Sequence, residues 1–360
     1  MSRIFIRADA SGEIGSGHVM RCITLADELA RRGANVAFIC RDILPVLAEK
    51  VRAHGHALHL LPPASDPRPN DGAAHAHWLQ AHWSEDCRHT REVLQQMEGV
   101  DWLIADHYAL DARWETPLRD VARQIMVLDD LADRAHDCDL LLDHAIYRKP
   151  GDYDSLIPAT ARLLTGGEYF LLRPEFHELR KKSLERRKQI KGIEKILINF
   201  GGTFKNEAIE AALHAVERVF GNRASVILVQ GKSGGGEDEA ERHFRKNFSF
   251  PIQVYEFVED MAALMCHVDL VMGAAGMSSL ERFCLGLPAI SVSVADNQEI
   301  AVRAYARTGG VMHGSVDTEE LALLLQQLDE QPEMLYGMSK AAARITDGLG
   351  VYRTAGIIMQ

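Results

Sequence analysis

The residue types that could do chemistry gather in one stretch near the start of the chain. A strand-like segment runs into a loop with three glycines, Gly12, Gly15 and Gly17, and His18 follows where an amphipathic helix begins. The unpaired N–H groups and positive dipole of a helix N-terminus attract phosphate or carboxylate. The same positive end favours a neutral imidazole, the form that accepts a proton. The spacing predicts either a base beside an anion or a glycine turn whose histidine only caps the helix.

A second polar group follows a later strand. The apolar segment over residues 100–108 ends with Asp106, His107 and Tyr108, and the next predicted strand also ends with two carboxylates. Ligands of α/β sheets bind at the carboxyl ends of the strands. Side chains 106–108 are therefore expected to face His18 in a cleft, although they would also serve as loop caps.

The second half of the chain holds a run of small residues between a strand and a helix. Its members are Gly273, Ala274, Ala275, Gly276, Met277 and Ser278. Small residues let a ligand approach the backbone, and the helix N-terminus can receive a diphosphate. Glu281, about one turn into the helix, can accept both hydroxyls of a ribose. The pattern is equally typical of close helix–strand packing with Glu281 in a surface ion pair.

Two α/β halves are needed to position these residues. Strand-like and helix-like segments alternate from residue 4 onwards, with a βαβ unit complete by residue 40, which favours a parallel sheet. The second half repeats the pattern, with strands predicted over 195–200, 224–230, 252–255, 269–272 and 289–294 and a helix over 206–220. The charged run 178–188 predicts a solvated helix between the halves. The predicted domains are 1–175 and 193–360, joined by a linker over 176–192, and two such halves imply a cleft.

Composition excludes several classes of function. The 360 residues are 47% hydrophobic and 25% charged, as in a globular protein of about two domains. A net charge of −11 disfavours a nucleic-acid partner. We find no membrane-length apolar run and no secretion signal, so no membrane partner and a cytoplasmic location are expected. The six cysteines form no CxxC pair, and the histidines over 75–89 lack metal-site spacing, so no metal is predicted.

Seven motifs, taken in chain order, extend over nearly the whole sequence. They are Gly-Ser-Gly-His at 15–18, Asp-His-Tyr at 106–108, Leu-Asp-Asp-Leu-Ala-Asp-Arg at 128–134, Leu-Leu-Arg-Pro-Glu-Phe at 171–176, Asn-Phe-Gly-Gly at 199–202, the segment 273–288, and Ala-Asp-Asn-Gln at 295–298. Together they resemble the UDP-2,4-diacetamido-2,4,6-trideoxy-β-L-altropyranose hydrolases of pseudaminic acid biosynthesis. The segment 273–288 is shared in outline with nucleotide-sugar glycosyltransferases.

The resemblance implies a GT-B fold, an α/β architecture in which two Rossmann-like domains face each other across a cleft and the C-terminal domain holds UDP. It implies metal-independent hydrolysis of a UDP-linked diacetamido-trideoxy sugar, without a cofactor, for surface-glycan synthesis. His18 would be the catalytic base. Gly15, Gly17, Tyr108 and Asn297 would contact the sugar or the water.

The same resemblance implies that residues 273–278 and Glu281 bind UDP. The main alternative is a GT-B glycosyltransferase that passes the sugar from a UDP donor to an acceptor, because the fold alone does not separate the two reactions. A nucleotide-sugar-binding protein without turnover is a further alternative. The chain departs from the family pattern at Ala275, Leu280 and His144, which lie around the expected pocket.

Overall fold

The computed structural model describes residues 1–65, 74–97, 99–201, 206–230, 236–293 and 299–360. They form two compact units, Met1–Leu171 with Leu349–Gln360, and Leu172–Gly348. The sequence division assigned the last residues to the second domain, but their contacts group them with the first. The reason is apolar packing, since Val351, Ala355 and Ile358 belong to the core of the first unit.

The first unit is built on a seven-stranded sheet in which every pairing is parallel. Its strands are β1 (Arg3–Ala8), β2 (Asn35–Cys40), β3 (Ala57–Leu60), β4 (Val100–Asp106), β5 (Ala122–Leu128), β6 (Leu140–Asp143) and β7 (Arg162–Thr165). Their order across the sheet is β3-β2-β1-β4-β5-β6-β7. The order reverses between β1 and β4, which is where Rossmann-like sheets bind ligands.

The second unit repeats this plan with a six-stranded parallel sheet. Its strands are β8 (Lys195–Asn199), β9 (Ser225–Val229), β10 (Ile252–Tyr255), β11 (Leu270–Ala274), β12 (Ala289–Val292) and β13 (Val311–Gly314). The order β10-β9-β8-β11-β12-β13 is that of a Rossmann fold, with the reversal between β8 and β11. The prediction of two Rossmann-like parallel sheets is confirmed.

Helices connect the strands in both units. In chain order they are α1 (Gly17–Arg31), α2 (Pro45–Ala53), α3 (Trp83–Gln95), α4 (Ala112–Glu115), α5 (Pro174–Arg187), α6 (Asn206–Phe220), α7 (Gly236–Asn247), α8 (Met261–His267), α9 (Met277–Cys284), α10 (Glu299–Arg307), α11 (Thr318–Glu330), α12 (Glu333–Ala343) and α13 (Gly350–Ile358). Short 3-10 helices lie at Ala76–Leu79, Thr116–Leu118, Pro150–Tyr153, Gly167–Tyr169 and Gly221–Arg223. Within the described ranges, no helix is long and apolar enough to cross a bilayer.

Strand β1 shows why these apolar runs form a buried parallel sheet. Its side chains alternate between the two faces, so Ile4 and Ile6 join the core that contains Val19 of α1, whereas Phe5 joins the core around Trp114. Both faces of the sheet are therefore covered, as expected for parallel strands with near-continuous apolar sequence. This packing fixes the two loops that follow β1 and β4.

The charged run in α5 is a structural element of the second unit and not the solvated connection expected from its composition. Ser183 and Arg187 are buried. Arg180 donates to the Cys284 and Ala343 carbonyls, at the ends of α9 and α12. Arginine side chains suit the negative C-terminal ends of helices, which is why a basic helix packs there.

Candidate active site

The first candidate site lies where β1 and β4 end side by side. Strand β4 ends at Asp106, and the loop after β1 leads through Gly15 into α1 at Gly17. Gly15 has φ of +78°, a left-handed conformation that glycine adopts without strain. No side chain caps α1 at Ser16. The turn therefore directs His18, in the first turn of the helix, towards the end of β4.

His18 and Asp106 form a buried pair. The His18 Nδ1 lies 2.6 Å from Asp106 Oδ1, and the two residues are 8% and 0% exposed. Arg21 donates to both oxygens of the same carboxylate, at 2.7 Å from Nε and 2.6 Å from Nη2. Burial alone would raise the pKa of Asp106, but Arg21 and His18 hold it well below its usual range. An ionised Asp106 keeps the proton of the imidazole on Nδ1, which leaves Nε2 as the acceptor.

The network continues from Arg21 to a second carboxylate. Arg21 Nη1 donates to Asp130 Oδ2 at 2.6 Å, and the Tyr108 hydroxyl donates to the same oxygen at 2.7 Å. His144 Nε2 lies 3.4 Å from Asp130 Oδ1. Burial and the charge of Asp130 raise the pKa of Tyr108 well above its usual value, so the phenol stays protonated. These contacts fix Tyr108 beside His18.

Sequence reasoning placed His18 and Tyr108 together but missed the residue that links them. Arg21 stands one helical turn after His18 and is buried on a largely apolar face of α1, beside Val19, Cys22 and Leu25. A charged residue on such a face must have a partner. That spacing was the available signal, and the partners Asp106 and Asp130 were visible only as polar strand ends.

Aromatic side chains surround the imidazole. The Tyr108 ring meets the His18 ring edge to face, with centroids 4.6 Å apart. Trp78 stacks on Tyr108 at 5.7 Å, and His75 lies 4.4 Å from Trp78. His75 and His77 thus make aromatic contacts, His82 caps α3, and His89 lies within hydrogen-bond distance of two arginines. In the part of the chain that the structure describes, no cluster of three or more potential ligands is arranged to hold a metal.

A separate buried network anchors the start of the glycine loop. Arg7 holds both oxygens of Asp9 at 2.6 and 2.8 Å and also binds Asp86. Asp86 further accepts from Arg41 at 2.8 Å and from the Trp114 indole at 3.0 Å. Buried charges are stable only when they are paired and hydrogen bonded in this way. The loop that carries His18 therefore starts from a rigid base.

The second candidate site lies at the matching reversal of the other sheet, between β8 and β11. A Cβ on Gly273 would lie 2.1 Å from the Asn199 carbonyl oxygen, so only glycine fits there. Ala274 and Ala275 are buried, and Gly276 precedes α9. Because Gly276 has no side chain, none caps α9, and the first N–H groups of Met277 and Ser278 lie at the positive end of the helix.

Glu281 occupies the second turn of α9 and has a basic partner. Its Oε1 lies 3.3 Å from Arg173 Nη2, and Arg173 also pairs with Glu175 at 2.9 Å. The Glu281 side chain is 21% exposed. Burial raises the pKa of Glu281, and Arg173 opposes that shift. The ion pair, which was one of the two interpretations of Glu281 from sequence, is present. The carboxylate also keeps accessible surface for a further partner.

The structure thus brings the predicted residues into two groups. Gly15, Gly17, His18 and Tyr108 lie together at the edge of the first sheet. The residues 273–278 and Glu281 lie together at the edge of the second. Asn297 lies outside the described residues. The roles proposed for all of them remain predictions.

Comparison with known proteins identifies the class of fold. Residues 196–349 match the glycosyltransferase family 28 C-terminal domain. Over its whole length the chain is similar to the solved structure of MurG from Acinetobacter baumannii, with a TM-score of 0.73, 16% identity and coverage of 100% of this chain and 99% of that one. The chain therefore has a GT-B fold, as predicted.

Two further solved structures with this fold hold UDP-sugars. One is UGT2 of Phytolacca americana with UDP-2-fluoro-glucose and pterostilbene, with a TM-score of 0.68, 14% identity and full coverage of both chains. The other is the UDP-GlcNAc 2-epimerase of Neisseria meningitidis with UDP-GlcNAc, with a TM-score of 0.64, 12% identity and full coverage of both chains. The names of these enzymes show that one fold serves different reactions.

Sequence relatives are distant. The spore coat polysaccharide biosynthesis protein SpsG of Bacillus subtilis is 21% identical over 98% of this chain and 96% of its own length. The UDP-2,4-diacetamido-2,4,6-trideoxy-β-L-altropyranose hydrolase of Campylobacter jejuni is 25% identical over 58% of this chain and 64% of its own. An uncharacterised protein of Methanocaldococcus jannaschii is 24% identical over 80% of this chain, which spans 55% of that relative.

Proposed function

We propose that this protein hydrolyses a UDP-linked 2,4-diacetamido-2,4,6-trideoxy sugar, with the β-L-altro isomer as the first candidate, to UDP and the free sugar. The observation that carries the proposal is the His18–Asp106 pair, 2.6 Å apart and oriented by Arg21. The motifs shared with sugar hydrolases and the similarity to the Campylobacter jejuni enzyme support the choice of substrate.

In this mechanism His18 Nε2 takes a proton from a water molecule as that water attacks the anomeric carbon. The bond between that carbon and the UDP oxygen breaks, and UDP leaves with the electron pair. Asp106 stabilises the imidazolium that forms, as the carboxylate does in a catalytic triad. Tyr108, held by Asp130, and the loop at Gly15 and Gly17 would position the sugar. No metal or cofactor enters the scheme.

UDP would bind to the second unit. The N–H groups at the start of α9 would receive the diphosphate, because a helix N-terminus favours negative charge. Glu281 would accept the ribose hydroxyls. Asn297 retains its proposed role near the sugar or the water.

A UDP-sugar glycosyltransferase of the same fold is the second candidate. The match of residues 196–349 to the glycosyltransferase family 28 C-terminal domain favours it. The two reactions share the donor and the leaving group and differ only in the nucleophile. The buried His18–Asp106 base suits either water or an acceptor hydroxyl, so an assay must separate them.

The test is to incubate the purified protein with a panel of UDP-diacetamido-trideoxyhexoses and no acceptor, and to follow UDP and free sugar by mass spectrometry. The hydrolase proposal predicts stoichiometric release of both from at least one isomer. If the donor stays intact without an acceptor and is consumed only when an acceptor is added, the protein is a transferase instead. Donor that binds and is never consumed would exclude both enzymes.

A further inference from the structure

Arg282 is a buried guanidinium beneath the turn that precedes α9. The residue is 1% exposed, and its Nη2 donates to the Ala274 carbonyl at 2.9 Å and to Ser279 Oγ at 2.5 Å. Its Nη1 lies 3.4 Å from the place a Cβ of Gly273 would occupy. Helical side chains lean towards the N-terminus, which brings the charge from the second turn to the start of the helix.

The guanidinium is incompletely partnered. Its Nε is buried without a hydrogen-bond partner, and no carboxylate forms an ion pair with it in the described parts of the chain. The neighbouring carboxylate of Glu281 is paired with Arg173. Burial lowers the pKa of Arg282 to about 10, so the group is still a cation at neutral pH. An uncompensated buried charge is costly.

A second buried arginine of the same unit shows how such a charge is usually stabilised. Arg187 is also 1% exposed, and its three nitrogen atoms donate to the carbonyls of Met265, Val268 and Leu285 at 2.9 to 3.1 Å. These carbonyls lie at the C-terminal ends of α8 and α9, where the helix dipole is negative and suits a cation. The guanidinium of Arg282 instead contacts Ala274 and Ser279 at the start of α9, where the helix dipole is positive and adds to the cost of burying the charge.

We propose that Arg282 is a buried counter-charge for an anionic diphosphate bound at the turn 273–278. This inference rests on the proposed function, which places UDP there, and adds a residue to that site. The guanidinium stays covered by the turn and acts through space and through the contacts with Ala274 and Ser279, so it is a positioning residue. Removing the Arg282 charge must therefore weaken binding more for ligands of higher negative charge and leave the binding of the uncharged nucleoside unchanged.

The experiment compares the binding of UDP, UMP and uridine by calorimetry or by competition. The variants are Arg282→Met, which removes the charge, and Arg282→Lys, which keeps it. Arg187→Met is the matched control, because it removes a buried arginine of the same unit that caps helix C-termini. Thermal unfolding reports whether each variant is folded.

We expect Arg282→Met to weaken UDP binding by about tenfold, UMP binding by less and uridine binding not at all. Arg282→Lys should retain most of the UDP affinity, and Arg187→Met should bind UDP like the wild type even if it is less stable. Equal losses for UDP and uridine, or no loss for UDP, would overturn the inference. If Arg282→Met does not fold, Arg282→Gln provides the same charge test. A wild-type protein that fails to bind UDP would refute the proposed function itself.

Discussion

The two sheets have the same strand order through six strands, yet the edges at which that order reverses are built in opposite ways. At the first edge, side chains carry the chemistry, since His18, Asp106 and Arg21 form a buried charged network. At the second edge, small residues form the turn before α9, and Gly273 is required by the close approach of Asn199. One topology thus carries the proposed proton acceptor in one unit and the proposed anion-binding turn in the other.

After removal of His18 itself, the largest effect should come from separating His18 from its carboxylate. Asp106→Asn keeps the shape but removes the charge that orients the imidazole, so we expect kcat to fall by about 10- to 100-fold with UDP affinity unchanged. Glu115→Gln is the control, because it removes the charge from a second buried histidine–carboxylate pair of the same unit, in which Glu115 lies 2.7 Å from His136. Equal losses of kcat in both folded variants would mean that Asp106 has only a structural role.

Substitutions at the second edge should weaken UDP binding and leave the turnover of bound substrate unchanged. Glu281→Gln removes the charge that would accept the ribose hydroxyls, and hydrogen bonds to charged groups contribute about 1.5–3 kcal/mol. We expect UDP to bind at least about tenfold more weakly, as measured by calorimetry. Glu175→Gln changes the other partner of Arg173 and should leave the affinity unchanged. If Glu175→Gln weakens UDP equally, the loss comes from Arg173 and not from a ribose contact.

A pair of glycine substitutions tests the close approach of the backbone at the second edge. Gly273→Ala would force the backbone away from Asn199, at a cost of about 1–3 kcal/mol in the free energy of unfolding. A Cβ on Gly276 meets no atom within 4 Å, so Gly276→Ala should be much milder. Urea unfolding of both variants is the measurement. Similar stabilities would show that the close approach at Gly273 is not a real constraint.

The smallest effect concerns a carboxyl farther along the first edge. The Tyr153 hydroxyl lies 2.8 Å from Asp143 and 2.9 Å from Asp129, and burial and Asp130 raise the pKa of Asp143 to about 7. Between about pH 4 and 7 the folded protein holds a proton that the unfolded chain has released. This carboxyl's contribution to the free energy of unfolding therefore falls as the pH rises through that range. Asp143→Asn cannot ionise and should flatten that slope by about 1 kcal/mol per pH unit. Parallel pH profiles of unfolding for the two proteins would contradict the raised pKa.

The local sequence pattern was sufficient to predict the helices and strands but not the contacts between charged side chains. The predicted strand 252–255 and the predicted helix 206–220 have the observed bounds of β10 and α6, because buried parallel strands and amphipathic helices have strong patterns. Arg187 in the basic run 178–188 was expected in solvent, yet it is buried against helix ends. The partners of Arg21 and Arg187 are distant in sequence and are set by tertiary packing, which periodicity does not encode.

The central claim is that His18 is the base that activates water, and the most direct measurement is the acceptor-free release of UDP by His18→Ala. We predict a loss of turnover of at least about 100-fold, typical of a missing general base, with UDP affinity and thermal stability close to those of the wild type. His243→Ala, which removes an exposed histidine of the second unit, should turn over normally. Wild-type turnover by folded His18→Ala would contradict the account.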